Sequence, residues 1–219
     1  MSAPDGTHRA RLLDTRVPSS PEGVVLVLHG GANRPDDPMV RPTQLSVLRM
    51  IPVARRIARA GRGRLAVLRL LNSARGWDAG RTPVVDVQWA LGLVRERFGD
   101  LPVGLVGHSL GGRAALLAGN EPSVRSVVAL NPWVYATDSP QLAGRRVLVV
   151  HGTEDRVADP ARAEAVVHRM ARSTDVEYVE VAGGKHAMLH HGAEFERAAA
   201  EFVTETLLDT RPRPGGARP

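Results

Sequence analysis

The chain has 219 residues, 43% of them hydrophobic and 24% charged, which suits a single globular domain with a sizeable core. This balance excludes a wholly disordered or collagen-like chain, and the absence of cysteine excludes disulfides, zinc–thiolate sites and a cysteine nucleophile. The formal net charge is +6, and Lys185 is the only lysine among the 29 basic residues.

The arginines are spread along the whole chain, with one dense group in residues 55–64. Aromatic residues make up 4% of the sequence, too few for a base-stacking surface, so we expect no nucleic-acid partner. No apolar run approaches the ~18 residues of a membrane helix, and the N-terminus lacks the apolar core of a signal peptide. We therefore predict a cytoplasmic protein without a membrane partner, and the composition leaves its oligomeric state open.

Short apolar runs alternate with longer stretches of helical periodicity along the chain. The predicted strands cover residues 24–28, 65–71, 103–106, 124–130, 147–150 and 176–181. The predicted helices cover residues 43–60 with a kink at Pro52, 83–98, 110–118, 160–171 and 193–208. Strands that alternate with helices predict an α/β fold, with a mostly parallel central sheet and helices on both faces.

The predicted domain covers residues 22–209. Residues 1–21 form an N-terminal segment that we expect to be partly disordered, and the Pro-, Gly- and Arg-rich tail, residues 210–219, is expected to be disordered. In folds of this class, ligands bind beyond the carboxyl ends of the strands. The residues that follow each strand are therefore the candidates for a functional site.

A serine stands at the end of the third predicted strand, in the sequence Gly107-His108-Ser109-Leu110-Gly111. This G-x-S-x-G pattern between a strand and a helix is typical of a sharp turn that exposes the serine hydroxyl at the sheet edge. Side chains at positions 107 and 111 would collide with neighbouring backbone, so glycine is required there. The following helix directs its positive N-terminus toward the site. We predict that Ser109 is a nucleophile.

A serine hydroxyl needs a base that removes its proton. His186 follows the last predicted strand through a glycine turn, residues 183–184, which can direct its side chain over the sheet edge. His190 and His191 are alternatives a few residues later, and we expect them to be solvated on the loop or on the final helix. His186 is the predicted base.

The base in turn needs a carboxylate that orients it. Asp155 follows the fifth predicted strand and is the candidate. Its neighbour Glu154 is expected to point elsewhere, and Asp159 can instead cap the helix that follows it. Asp138, after the fourth strand, is a less favoured substitute, whereas Asp175 precedes a strand and so lies at the opposite edge.

A tetrahedral intermediate needs backbone N–H donors around its oxyanion. The residue after the nucleophile, Leu110, is predicted to supply one donor. The loop after the first predicted strand supplies the other, with Gly31 as first choice and Ala32 as second. We expect the side chains of His29 and His108 to hydrogen-bond with nearby backbone rather than to react.

With these motifs, residues 22–205 resemble the α/β-hydrolase superfamily, and the chain is similar to small serine hydrolases of actinobacteria. The resemblance rests on four motifs in order: HGG at 29–31, GHSLGG at 107–112, HGTED at 151–155 and GGKH at 183–186. It implies hydrolysis of an ester, thioester or related acyl bond with no cofactor and no metal.

Many members of this superfamily carry a lid domain between the strand after the nucleophile helix and the strand that bears the acid. Here only 16 residues, 131–146, separate those strands, so we predict no lid and an open site. Trp133 and Tyr135 are predicted to line the substrate on one side and Trp77 on another. The alternative for each aromatic residue is ordinary packing at the sheet edge.

The predicted function is hydrolysis of carboxylic ester or thioester bonds in small soluble acyl substrates. Ser109, His186 and Asp155 would form a catalytic triad that works through an acyl-enzyme intermediate. Two alternatives stay open: acyl transfer or perhydrolysis by the same three residues, and ligand binding without catalysis on the same fold.

Overall fold

The computed structural model describes residues 9–31 and 40–208. The strands are β1 (Arg11–Arg16), β2 (Gly23–Leu28), β3 (Leu65–Leu71), β4 (Val103–His108), β5 (Val124–Leu130), β6 (Arg146–Gly152) and β7 (Asp175–Val181). The helices are α1 (Leu45–Leu48), α2 (Met50–Ala60), α3 (Thr82–Phe98), α4 (Leu110–Ala118), α5 (Pro160–Met170) and α6 (Gly192–Leu208). Every predicted strand and helix is present, and the first predicted helix is divided in two.

The strands form one sheet in the order β1-β3-β2-β4-β5-β6-β7. All neighbouring pairs are parallel except β1 and β3, which are antiparallel. Strand β1 was not predicted, and it extends the sheet into the segment that was assigned to the N-terminus. Its residues are exposed or half-buried, so it lacks the continuous buried apolar run that marks a central parallel strand.

The central strands are buried because helices cover both faces of the sheet. Alternate residues of β2 point to opposite faces: Val24 and Leu26 belong to the apolar cluster that includes α3, α4 and α5, whereas Val25 and Val27 belong to the cluster that includes α2 and α6. All six residues of β2 and of β4 are buried. The predicted architecture, a mostly parallel sheet between two helical layers, is confirmed.

The helix predicted over residues 43–60 is interrupted at Arg49, which separates α1 from α2. Pro52 is the third residue of α2 and lies in its first turn, where the missing N–H has no intrahelical acceptor. The proline is thus accommodated by a new helix start rather than by a kink. None of the helices in the described ranges combines the length and the hydropathy that crossing a bilayer requires.

The connection between β5 and β6 decides how the carboxyl edge of the sheet is covered. Residues 131–145 contain neither a helix nor a strand. No lid domain is inserted at this point, as predicted from the length of the segment. This connection therefore places no helix over the carboxyl end of β4.

Candidate active site

Ser109, Asp155 and His186 come together at the carboxyl edge of the sheet. Ser109 directly follows β4, whereas the other two residues lie on the loops after β6 and β7. Strand β5 separates β4 from β6, and β7 pairs with β6. Parallel neighbours end at the same edge, so the sheet order brings together side chains that are 77 residues apart in sequence.

The turn at Ser109 holds the residue in an unusual backbone conformation, with φ of 55° and ψ of −119°. A Cβ at Gly107 would lie 2.1 Å from the carbonyl oxygen of Gly111, and a Cβ at Gly111 would lie 2.5 Å from that of His29. Any other residue at either position would collide with backbone. The two glycines therefore allow the tight turn that presents the serine at the start of α4.

A continuous chain of hydrogen bonds joins the three side chains. His186 Nε2 lies 3.0 Å from Ser109 Oγ, and His186 Nδ1 lies 2.8 Å from Asp155 Oδ2. The carboxylate can only accept, so Nδ1 carries the proton and Nε2 is left to accept the serine proton. The Asp155 side chain is fully buried, and 15% of the His186 side chain is exposed.

The Asp155 carboxylate is held in its charged form by its hydrogen bonds. Burial raises its pKa, but bonds from His151, His186 and the N–H groups of Ala158 and Val157 outweigh burial, so the pKa lies below its usual value. Oδ1 accepts from Val157 N at 2.8 Å and from Ala158 N at 2.9 Å. A negative charge is thus fixed beside the imidazole of His186.

The alternative histidines lie away from this chain of bonds. His191 is exposed and pairs with Glu194 at 3.0 Å. His190 is also exposed. Both are therefore solvated, as predicted.

The alternative carboxylates have other partners. Glu154 is exposed and lies 3.7 Å from Lys185, and Asp159 caps the N-terminus of α5 with a 3.0 Å bond to a backbone N–H. Asp138 binds the guanidinium of Arg113. Asp175 is the first residue of β7, at the opposite edge of the sheet.

The predicted oxyanion donors lie at the start of α4 and on the loop after β2. Leu110 is the first residue of α4, and a Cβ at Gly31 would lie 2.0 Å from the carbonyl oxygen of Arg75, so only glycine fits there. Ala32, the second choice, lies outside the described residues. The positive end of the α4 dipole adds to the attraction for a developing negative charge near Leu110.

His29 and His108 are buried and hydrogen-bond with backbone, as predicted. The His29 ring contacts the Gly30 carbonyl through Nδ1 and the Asn72 N–H through Nε2. His108 Nε2 lies 2.8 Å from the carbonyl oxygen of His186. Burial lowers the pKa of His29, and burial together with the nearby His186 lowers the pKa of His108 to about 3. Both rings are therefore neutral near pH 7.

The three predicted substrate-lining aromatic residues surround a buried arginine that the sequence did not single out. The Arg113 guanidinium lies 4.0 Å from the Trp77 ring centroid, 4.3 Å from that of Tyr135 and 6.0 Å from that of Trp133. It also forms two hydrogen bonds of 2.8 and 2.9 Å with the Asp138 carboxylate. Cation–π contacts and a charge pair thus join α4 to the loops after β3 and β5.

One of the three aromatic residues also borders a cavity beside the triad. The cavity has a volume of about 290 Å³, and it is lined by Trp133, Val134, Asp155, Arg156, Val157, Asp159, Pro160 and Arg162. The backbone N–H of Trp133 donates to the carbonyl oxygen of Ser109 at 3.1 Å. Trp77 and Tyr135 do not line this cavity. Two further cavities, of about 410 and 460 Å³, lie among the arginines of residues 55–62, away from the triad.

Asn131, which was not a predicted site residue, is fully buried between the loops that carry Asp155 and His186. It directly follows β5, and its place at the carboxyl end of a strand could have marked it as a candidate site residue. Its partners are backbone groups of Gly152, Lys185 and His186, which no sequence pattern indicates.

Within residues 9–31 and 40–208, no three His, Cys, Asp or Glu side chains converge as they would around a metal ion.

The seven-stranded sheet, its helical layers and the serine turn after β4 define the α/β-hydrolase superfamily. The family described as "PETase: PET hydrolase-like" matches residues 89–204, more than half of the chain. The protein therefore belongs to the PET hydrolase-like family. A search of curated proteins finds no match.

Solved structures support the same fold. An α/β serine hydrolase homologue from Coxiella burnetii superposes with a TM-score of 0.69 at 19% identity, over 92% of this chain and 95% of that chain. A serine hydrolase without a lid from Xanthomonas campestris gives a TM-score of 0.65 at 18% identity, over 92% and 89%. Est1E from Butyrivibrio proteoclasticus gives 0.65 at 16%, over 90% and 93%. At sequence identities of 16–19%, these superpositions show that the fold is shared.

Proposed function

We propose that the protein hydrolyses carboxylic ester or thioester bonds of small soluble substrates through Ser109, His186 and Asp155. The observation that carries the proposal is the unbroken chain of hydrogen bonds from Ser109 Oγ through the His186 ring to the buried Asp155 carboxylate. A binding protein needs no such alignment, because each of these contacts serves to remove a proton from the serine.

The reaction proceeds in two halves. Ser109 Oγ attacks the acyl carbon while its proton passes to His186 Nε2, and Asp155 stabilises the resulting imidazolium. The N–H groups of Leu110 and Gly31 donate to the oxyanion, and the leaving alcohol or thiol departs with the proton from His186. Water then attacks the acyl-enzyme, again giving its proton to His186, and the acid is released as Ser109 regains its hydrogen.

The relatives support the choice of bond. The family description names a hydrolase, and structural neighbours include an esterase domain from Rhodothermus marinus and a dienelactone hydrolase from Anabaena variabilis. The connection over residues 131–145 places no inserted domain over the site, which favours substrates that approach from solution. Acyl transfer would use the same residues, with an alcohol or peroxide in place of water.

Labelling with a fluorophosphonate probe tests the proposal, because the probe captures only a serine that is activated by a base. We expect the wild-type protein to be labelled and to hydrolyse p-nitrophenyl esters, with turnover highest for short acyl chains. The Ser109→Ala variant should lose labelling and about 10⁴-fold or more of the turnover, with an unchanged circular dichroism spectrum.

Ser139→Ala is the matched control, because Ser139 is exposed on the loop after β5. It should keep both the labelling and the turnover of the wild type. Equal labelling of the wild type and Ser109→Ala would contradict the mechanism. A folded wild-type protein that neither reacts with the probe nor turns over any ester would favour the binding function instead.

A further inference from the structure

The loops that carry the acid and the base are joined to each other as one unit. The N–H of Glu154 donates to the carbonyl oxygen of Gly184 at 2.9 Å, and the N–H of Gly183 donates to Thr153 Oγ1 at 2.9 Å. A Cβ at Gly152 would lie 2.3 Å from the Gly184 carbonyl oxygen, so the two loops touch there. These contacts set the position of His186 relative to Asp155, but none of them reaches Ser109 or the preceding strand, β4.

Asn131 connects this two-loop unit to the nucleophile side of the sheet, because the Ser109 N–H donates to the carbonyl oxygen of the preceding residue, Leu130, at 3.0 Å. It directly follows β5, which lies between β4 and β6, and its side chain is fully buried. Its φ of 42° is one that asparagine tolerates better than most residues. The Asn131 N–H donates to the Val150 carbonyl oxygen at 2.8 Å, which fixes the backbone from which the side chain projects.

The Asn131 amide bonds both loops at once. Its Oδ1 accepts from the N–H of Gly152 at 2.8 Å, and its Nδ2 donates to the carbonyl oxygens of Lys185 at 3.2 Å and His186 at 3.3 Å. Exchanging the oxygen and nitrogen would place donor against donor and acceptor against acceptor. The orientation of the amide is therefore fixed by its surroundings.

The carbonyl oxygen of His186 receives a second donor from the nucleophile strand. His108, the residue before Ser109, lies with Nε2 2.8 Å from that oxygen. Burial keeps the ring neutral, since its pKa is lowered to about 3, and the carbonyl can only accept, so Nε2 carries the hydrogen. The backbone of the base is thus held from both β4 and β5.

We propose that Asn131 is a positioning residue that docks the acid–base unit against the nucleophile and so sets the distance between His186 Nε2 and Ser109 Oγ. This inference rests on the proposed function. Removing the amide would leave the bond between His186 and Asp155 in place, because that bond lies within the unit. It would loosen the contact between His186 and Ser109, where a displacement of about 1 Å is enough to cost about 10²-fold in rate.

Two substitutions at position 131 test the proposal. Asn131→Leu removes all three side-chain bonds with little change in volume. Asn131→Asp keeps an acceptor for Gly152 but faces the two carbonyl oxygens without a donor. We expect kcat for a p-nitrophenyl ester to fall about 10²-fold in Asn131→Leu and by at least about tenfold in Asn131→Asp. KM should change less than about threefold in both, and the rate of fluorophosphonate labelling should fall with kcat.

A proton spectrum separates docking from a general loss of structure. The Nδ1 proton of His186, bonded to a carboxylate, gives a downfield imidazole resonance that should persist in both variants. Asn120→Leu, at an exposed position after α4, is the control and should match the wild type in every readout. If Asn131→Leu does not fold, the kcat and the proton spectrum of Asn131→Asp alone test the proposal, because aspartate is nearly isosteric with asparagine.

Two results would overturn the inference while leaving the proposed function intact. One is an active wild type whose position 131 variants stay within about threefold of its kcat. The other is loss of the downfield resonance together with activity, which would mean that the amide holds the unit itself together. A wild-type protein that is inert toward both probe and esters would instead refute the proposed function, and the inference with it.

Discussion

Two buried polar networks flank Ser109, and they hold their surroundings by different means. On the base side, Asn131 and His108 donate uncharged hydrogen bonds to backbone carbonyls of the loop that carries His186. On the other side, Arg113 and Asp138 form a buried charge pair among aromatic rings. Neutral hydrogen bonds hold the backbone of the His186 loop in place without adding charge beside the imidazole, whereas the charge pair joins α4 to the loop after β5. Changes on the base side should therefore appear in turnover, and changes on the arginine side in stability.

The largest expected effect is on the base side. Asp155→Asn should lower kcat for a p-nitrophenyl ester about 10⁴-fold, because an amide can donate to His186 Nδ1 and so favours the wrong tautomer. Steady-state kinetics with active-site titration measures the change. Asp175→Asn, at the opposite edge of the sheet, should retain wild-type turnover. Nearly normal turnover in Asp155→Asn would remove Asp155 from the mechanism.

The next largest effect is expected on the arginine side. Arg113→Met leaves the Asp138 carboxylate buried without its charged partner, with only the Tyr135 N–H still donating to it, since only 8% and 10% of the two side chains are exposed. We expect a loss of about 3–5 kcal/mol in the free energy of unfolding, measured with urea. The double variant Arg113→Met/Asp138→Leu should recover most of that loss, because two apolar side chains replace the pair. A double variant no more stable than Arg113→Met would show that the charge pair is not the source of the effect.

A smaller effect concerns the pH dependence of stability on the base side. The pKa of His108 is about 3 in the folded protein and about 6.5 in an unfolded chain. Between these values the unfolded chain binds a proton that the folded protein does not, so acidification destabilises the fold. His108→Gln should reduce the slope of unfolding free energy against pH by up to about 1.4 kcal/mol per pH unit between pH 4 and 6.

Urea unfolding at several pH values in that range measures the slope. The exposed His190→Gln is the control, because its ring is in solvent in the folded protein. His29 is buried and also has a lowered pKa, so the His108→Gln variant should keep part of the pH slope of the wild type. Equal slopes for His108→Gln and the wild type would mean that His108 is protonated in the folded protein.

The central fold and the serine turn were accessible from sequence because their signals are local. A strand buried on both faces, such as β4, is a continuous apolar run, and the glycines at 107 and 111 are required by contacts within a few residues. Strand β1 was missed because this edge strand is short, with no buried residue and only two apolar ones, and nothing in residues 11–16 indicates its antiparallel partner.

The remaining features of the site depend on long-range contacts. In the sequence, nothing distinguishes Arg113 from the other residues of its predicted helix. Only the fold shows that Asp138, 25 residues later, supplies its partner. Asn131 bonds backbone groups up to 55 residues away, and backbone carries no sequence signal. The aromatic residues were identified as a group, but only Trp133 borders the cavity beside Asp155.

The backbone at Ser109 has a consequence for how this protein responds to selection. Its φ of 55° lies in a region that glycine occupies freely and serine does not, so the fold alone favours glycine at this position. In a library selected only for survival at high temperature, we expect glycine to become common at position 109 and activity to disappear. In a parallel library selected on ester turnover, serine should stay. The identity of residue 109 would then show whether a population had been selected for thermal stability or for ester turnover.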